Sequence, residues 1–78
     1  MSPSFTNVAH GTPDAFREFI AENAALVRVQ AGLAETYAAT GDDVGLEYAV
    51  RRLLAYTRQV VGTLADLKEA KAGGVDAR

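Results

Sequence analysis

The amino-acid sequence predicts an all-α protein, in which two long helices form an antiparallel hairpin and two hairpins dimerise into a four-helix bundle. Helix start and stop signals define helices over about 13–40 and 44–72, and apolar residues follow heptad spacing in both. With 78 residues, the chain is long enough for one small domain. We therefore expect a hairpin domain over residues 12–72, between an N-terminal tail over 1–11 and a flexible C-terminal tail over 73–78.

The start of the first helix is marked by three consecutive residues, Thr12, Pro13 and Asp14. The threonine hydroxyl is a good N-cap, proline suits the first helical position, and an acid is favoured near the positive end of the helix dipole. Nothing interrupts the helical pattern from there to Thr40.

The turn between the helices is predicted at Gly41, because glycine readily adopts the left-handed conformation that ends a helix. Asp42 or Asp43 then supplies the N-cap of the second helix. We expect this helix to stop at Gly73. A connection this short makes the two helices antiparallel neighbours.

The apolar residues of each helix form a broad stripe. In the second helix it follows Leu46, Val50, Leu53, Thr57, Val60, Leu64 and Leu67, widened by Leu54 and Val61. In the first helix it follows Phe16, Ile20, Asn23, Val27, Gln30, Ala34 and Tyr37, flanked by Phe19, Leu26 and Leu33. Each stripe covers roughly 140–160° of the helix circumference, which is wider than one neighbouring helix buries.

A second copy of the chain would cover the remainder of these stripes, and small chains without disulfides or metals commonly rely on association. We therefore predict a homo-oligomer, with a dimer favoured. The alternative is a monomer in which Phe5 and Val8 fold back over the hairpin.

Three polar residues lie within the apolar stripes, namely Asn23, Gln30 and Thr57. A polar group in a helical interface can fix register and the number of chains, so we assign these residues to the register of the oligomer. A wet edge with bridging water and a ligand pocket between the helices are the alternatives for the asparagine and glutamine.

The outward face of the second helix is the predicted partner-binding surface. It carries Tyr48, Arg51, Arg52, Ala55, Arg58, Gln59 and Gly62. Tyrosine and arginine are enriched at binding hot spots, and small residues allow another helix to approach closely. The alternative is a solvated face on which Glu47 pairs with Arg51 four residues later.

Composition narrows the functional classes. The net charge of −2 argues against a dedicated nucleic-acid binder, although residues 44–63 alone carry three arginines and one glutamate. The sequence predicts a small non-enzymatic protein-interaction or assembly module: an accessory, inhibitory or regulatory protein, or a minor phage component. A Rop-like nucleic-acid-binding regulator and a non-catalytic subunit of an enzyme complex are the alternatives.

Catalysis and cofactor binding have no support in the sequence. There is no cysteine, and the only histidine and the only serines lie in the N-terminal tail, at His10, Ser2 and Ser4. No nucleophile and base can be paired from these residues, and no phosphate-binding glycine pattern or calcium loop occurs. We expect no cofactor, no metal, no membrane span and no export signal, and hence a cytoplasmic protein.

Overall fold

The computed structural model describes the backbone of residues 11–76 and the side chains of residues 11–73. Two helices, α1 (Pro13–Thr40) and α2 (Asp43–Asp76), pack against each other as an antiparallel hairpin. The prediction of an all-α hairpin is confirmed. The proposed docking of Phe5 and Val8 lies outside the described residues.

The first helix begins as its sequence predicts. The hydroxyl of Thr12, in extended backbone conformation, accepts a hydrogen bond of 3.2 Å from the amide of Ala15, and Pro13 opens the helix. Asp14 in the first turn also contacts Arg17, its Oδ1 lying 3.1 Å from the Nη1 of the guanidinium. The N-terminus of α1 is therefore capped by contacts within its own first turn.

The turn is closed by capping interactions on both sides. Gly41 has a φ of 76°, and the amides of Gly41 and Asp42 donate to the carbonyls of Ala38 and Tyr37 at 3.4 and 3.0 Å. This pair of bonds is a Schellman motif, in which a left-handed glycine satisfies the last carbonyls of a helix. On the other side, Asp42 Oδ1 accepts a hydrogen bond of 2.9 Å from the amide of Gly45, so Asp42 is the N-cap of α2.

The second helix runs further than its sequence predicts. It ends at Asp76, so Gly73 lies inside the helix and the predicted stop at this residue is wrong. Among the described glycines only Gly11 and Gly41 have positive φ. A glycine inside a helix costs only about 1 kcal/mol, so without capping bonds like those at Gly41 the helix continues through it.

The two helices meet along lines of half-buried and buried residues. In α1 the line is the predicted one, from Phe16 to Tyr37. In α2 it follows Leu46, Ala49, Leu53, Tyr56, Val60, Thr63, Leu67 and Ala70.

The predicted line in α2 is therefore wrong at two positions. Val50 and Leu64 are 47% and 48% exposed, and Ala49 and Thr63 occupy the helix contact in their place. At these two positions the smaller side chain faces α1, so the helices can approach each other more closely there. The larger residues then lie on the flank, where this hairpin has no third helix to cover them.

The hairpin has almost no closed core. Ala49, at 1% exposure, is the one buried apolar residue among the described residues, and none of their large side chains is fully buried. Ten large apolar side chains are between 38% and 82% exposed: Phe19, Leu26, Val29, Leu33, Val44, Tyr48, Val50, Leu54, Val61 and Leu64. A single layer of two helices leaves both of its broad sides open to solvent.

Candidate interaction surfaces

One broad side of the hairpin carries a row of apolar residues on α2. In α2, Val50, Leu54, Thr57, Val61 and Leu64 repeat at steps of four and three, and therefore share one flank of the helix. A groove of about 160 Å³ lined by Ala24, Val27, Thr57 and Val60 shows which flank of α1 lies beside them.

That flank of α1 is rich in alanine. Because residues three, four and seven apart share a helix face, Ala21 and Ala31 lie on the same side as Ala24. We call the five α2 residues and these three alanines the apolar face. Arg17, Arg28 and Glu35 lie on the same flank of α1, interspersed with these alanines.

The opposite broad side is mixed. At about 100° per residue, Phe19, Leu26 and Leu33 of α1 fall on the flank turned away from Ala24. In α2 the same rotation places Arg52 and Gln59 beside them. We call these five residues the mixed side.

All seven residues of the predicted partner surface are exposed. Their positions on the helical wheel divide them into two groups. Tyr48, Arg52, Ala55, Gln59 and Gly62 lie toward the mixed side, whereas Arg51 and Arg58 lie on the outer edge of α2, opposite α1.

Arg52 is held between two tyrosines of its own helix. Its Nη1 donates to the Tyr48 hydroxyl at 3.1 Å and its Nη2 to the Tyr56 hydroxyl at 2.9 Å. The guanidinium carbon lies 5.3 Å from the centroid of the Tyr48 ring and 5.7 Å from that of Tyr56, within the range of a cation–π contact. The charge interactions with Tyr48 and then Tyr56 raise the pKa of Arg52 above its ordinary value.

These three residues form what we call the Tyr–Arg–Tyr cluster. The heptad pattern places Tyr48 and Arg52 on the outer face of α2 but assigns no role to Tyr56. The spacing of residues 48, 52 and 56, each one helical turn apart on one face, is the feature of the sequence that could have predicted the cluster. Tyr56 is half-buried at the helix contact, so it anchors the exposed end of the cluster to the hairpin.

The other arginines of this region differ in their contacts. Arg51 Nη2 donates to Glu47 Oε2 at 2.6 Å, which is the ion pair named in the alternative of a solvated face. Both side chains are largely exposed, and such helical pairs contribute only about 0.3–0.5 kcal/mol. Arg52 is thus the arginine whose orientation is fixed by the greatest number of contacts.

Asn23 and Gln30 lie in the contact between the helices. They are 6% and 9% exposed, as their position in the apolar stripe predicts. Asn23 Nδ2 donates to the Phe19 carbonyl of its own helix at 3.0 Å. Thr57 is half-buried, and its hydroxyl donates to the Leu53 carbonyl at 2.8 Å. These bonds stay within one helix, so the amide of Asn23 does not link α1 to α2.

Neither a metal site nor a membrane span is found in the described part of the chain. Residues 11–73 contain no group of three or more histidine, cysteine, aspartate or glutamate side chains arranged to hold a metal ion. Neither helix, over the residues described, is apolar enough over a sufficient length to cross a membrane. His10, Ser2 and Ser4 lie outside the described residues.

Comparison with known proteins adds no relative: no family model, no curated protein and no solved structure matches the chain. The surfaces described above are therefore the basis for a functional assignment.

Proposed function

We propose that this protein is a small protein-interaction and assembly module that works as a homodimer and binds a protein partner through the Tyr–Arg–Tyr cluster. One observation carries the proposal: a hairpin with a single buried apolar residue exposes ten large apolar side chains. Four of the ten, Val50, Leu54, Val61 and Leu64, share one flank of α2. Monomeric proteins rarely expose large contiguous apolar patches, and such patches mark sites of association.

The free energy available from association is substantial. Fully burying a valine or leucine side chain contributes about 1.5–3 kcal/mol. Val50, Leu54, Val61 and Leu64 are each about half exposed, so covering them contributes on the order of 1 kcal/mol apiece. In a chain of 78 residues this sum is comparable with the whole free energy of folding.

The Tyr–Arg–Tyr cluster is suited to recognition of another protein. Tyrosine and arginine dominate binding hot spots because they combine large contact area with directional hydrogen bonds. Arg52 uses one N–H on each terminal nitrogen for the tyrosine hydroxyls, and its remaining N–H groups are available to an acceptor on a partner. Its side chain is already ordered, which reduces the entropy lost on binding.

Affinity purification of three tagged forms from the source cells tests this assignment. We expect the wild-type chain to retain a specific partner and Arg52→Ala to lose it by at least tenfold, because truncation of a central arginine costs about 2 kcal/mol or more. Arg58→Ala is the matched control, since Arg58 lies on the same helix outside the cluster.

Circular dichroism must show the same helix content in all three forms. Equal recovery of the same proteins by wild type and Arg52→Ala would contradict the proposal. A partner that proves to be an enzyme would place the chain as its non-catalytic subunit.

A nucleic-acid-binding role is the second candidate, because residues 48–65 carry three arginines and no acid. The contacts favour a protein partner, since Arg51 is paired with Glu47 and Arg52 is hydrogen-bonded to tyrosines. Copurifying nucleic acid that is released between roughly 50 and 200 mM salt would instead support the second candidate, because the affinity of phosphate contacts falls steeply over this range.

We also propose that Asn23 limits the number of chains in the assembly. Asn23→Leu is expected to stabilise the protein by about 1 kcal/mol, because it replaces a buried amide with an apolar side chain. The Phe19 carbonyl keeps its backbone hydrogen bond within the helix. The same change should broaden the mass distribution beyond a dimer in sedimentation velocity. Gln59→Leu, an exposed substitution of similar chemistry, should change neither property, and simple unfolding of Asn23→Leu would contradict the proposed role.

A further inference from the structure

We propose that the second copy of the chain docks on the apolar face and leaves the mixed side exposed. This inference rests on the homodimer proposed above and assigns the surface through which it forms. The occupant is a second hairpin that presents the same face.

The apolar face contains the two complementary shapes that a symmetric interface needs. A two-fold dimer buries the same patch on both copies, so each patch must supply both ridge and groove. Here α2 supplies a ridge of Val50, Leu54, Val61 and Leu64. Small alanines line the neighbouring flank of α1, and the groove at Ala24 and Thr57 lies between the two helices.

The broad side that carries the apolar face is as large as one partner's share of a standard interface, and the row from Val50 to Leu64 spans about 21 Å of it. The 28 residues of α1 give a length of about 42 Å, and two helices about 8–10 Å apart give a width of about 20 Å. Their product is on the order of 800 Å² for each copy, which is the contribution of one partner to a standard interface.

The mixed side is less suited to self-association. Arg52 and Gln59 stand beside the apolar residues of α1, and Asp66 extends the same row of α2. Covering this side with an identical surface would desolvate Arg52 and Asp66, which is unfavourable unless each charge pairs with the other copy. The α2 row of the apolar face carries no charge from Val50 to Leu64. Its charged residues are Lys68, which continues that row, and the three on the α1 flank, whose long side chains can keep their head groups in water.

This arrangement determines what remains accessible. Because Tyr48 and Arg52 lie toward the mixed side, a dimer formed through the apolar face leaves both clusters exposed, one on each copy. The same surface can then contact a protein partner while the dimer stays intact.

Spin labels on single cysteines test the assignment, since the natural chain contains no cysteine. Val61→Cys places a label on the apolar face and Gln59→Cys places one on the mixed side, only two residues away in α2. We expect a clearly shorter distance between the two labels of a dimer for Val61→Cys than for Gln59→Cys. The reverse order would overturn this inference and leave the proposed homodimer in place.

A charge substitution gives an independent test in solution. Leu54→Glu is expected to reduce the sedimentation mass from twice 8.3 kDa to 8.3 kDa, whereas the matched change Leu26→Glu on the mixed side should leave the dimer mass unchanged. If Leu26→Glu dissociates the dimer and Leu54→Glu does not, the docking face is wrong. If the wild-type chain is monomeric at all concentrations, both this inference and the proposed homodimer fail, while the test with Arg52→Ala still stands.

Discussion

Ala49→Leu is expected to lower the free energy of unfolding by about 1–3 kcal/mol, because three extra carbon atoms must enter a fully buried position between the helices. Ala49 is 1% exposed and is the one apolar residue buried within the described part of the chain. A larger side chain there must push α1 and α2 apart or adopt an unfavourable rotamer. Urea denaturation followed by circular dichroism, at one fixed protein concentration, measures the change.

Ala55→Leu is the matched control for this substitution. Ala55 lies six residues further along the same helix and is exposed, so the same change should alter stability by no more than about 0.5 kcal/mol. Equal changes in the free energy of unfolding for the two substitutions would show that Ala49 is not tightly packed between α1 and α2 in solution.

Dilution is expected to destabilise the protein strongly if folding is coupled to dimer formation. For a folded dimer in equilibrium with unfolded chains, each tenfold dilution lowers the free energy that favours the dimer by about 1.4 kcal/mol. A hundredfold dilution therefore costs about 2.8 kcal/mol. Thermal melts at several concentrations measure the resulting fall in Tm.

Leu54→Glu provides the comparison for the melts. If folding requires the dimer, this variant should lose most of its helix signal and show no cooperative melt at concentrations where the wild type is folded. A wild-type Tm that does not change over a hundredfold range of concentration would contradict coupled folding and association, and would indicate that the hairpin is stable alone.

The local structure was predictable because it depends on residues close in sequence. Thr12 caps α1, Gly41 ends it in the left-handed conformation, and Asp42 caps α2, each through contacts within five residues. The end of α2 was not predictable from Gly73, because glycine stops a helix only when capping bonds replace those that continue it.

The rotation of α2 against α1 was harder to predict. The heptad pattern defines one row of the helix contact, formed by Leu46, Leu53, Val60 and Leu67. It leaves two candidates for the second row, which begin at Ala49 and at Val50. Periodicity and hydrophobicity favour the row of Val50, yet the hairpin uses the row of Ala49. In that row, alanine and threonine replace valine and leucine at two positions, and Tyr56 fills the contact between them. That choice depends on side-chain volume across two helices, which the pattern of one helix does not contain.

The candidate surface was predictable where it depends on residues of one helix that are close in sequence. The exposure of Tyr48 and Arg52 follows from their place opposite the apolar stripe, and the pair of Glu47 with Arg51 follows from their spacing. The role of Tyr56 depends on its position at the edge of the helix contact, half-buried and still able to reach Arg52.

The two-residue connection at Gly41 and Asp42 also determines how the hairpin comes apart. Both residues are engaged in capping, and the ring of Tyr37 lies over Gly45, where a Cβ atom would stand only 2.9 Å from ring carbons. The two helices are therefore held together at the turn. At the opposite end of the hairpin, α2 extends beyond α1, because it is six residues longer. Local opening costs least where contacts are fewest. Unzipping is therefore expected to start at the open end and to travel toward the turn, which separates last.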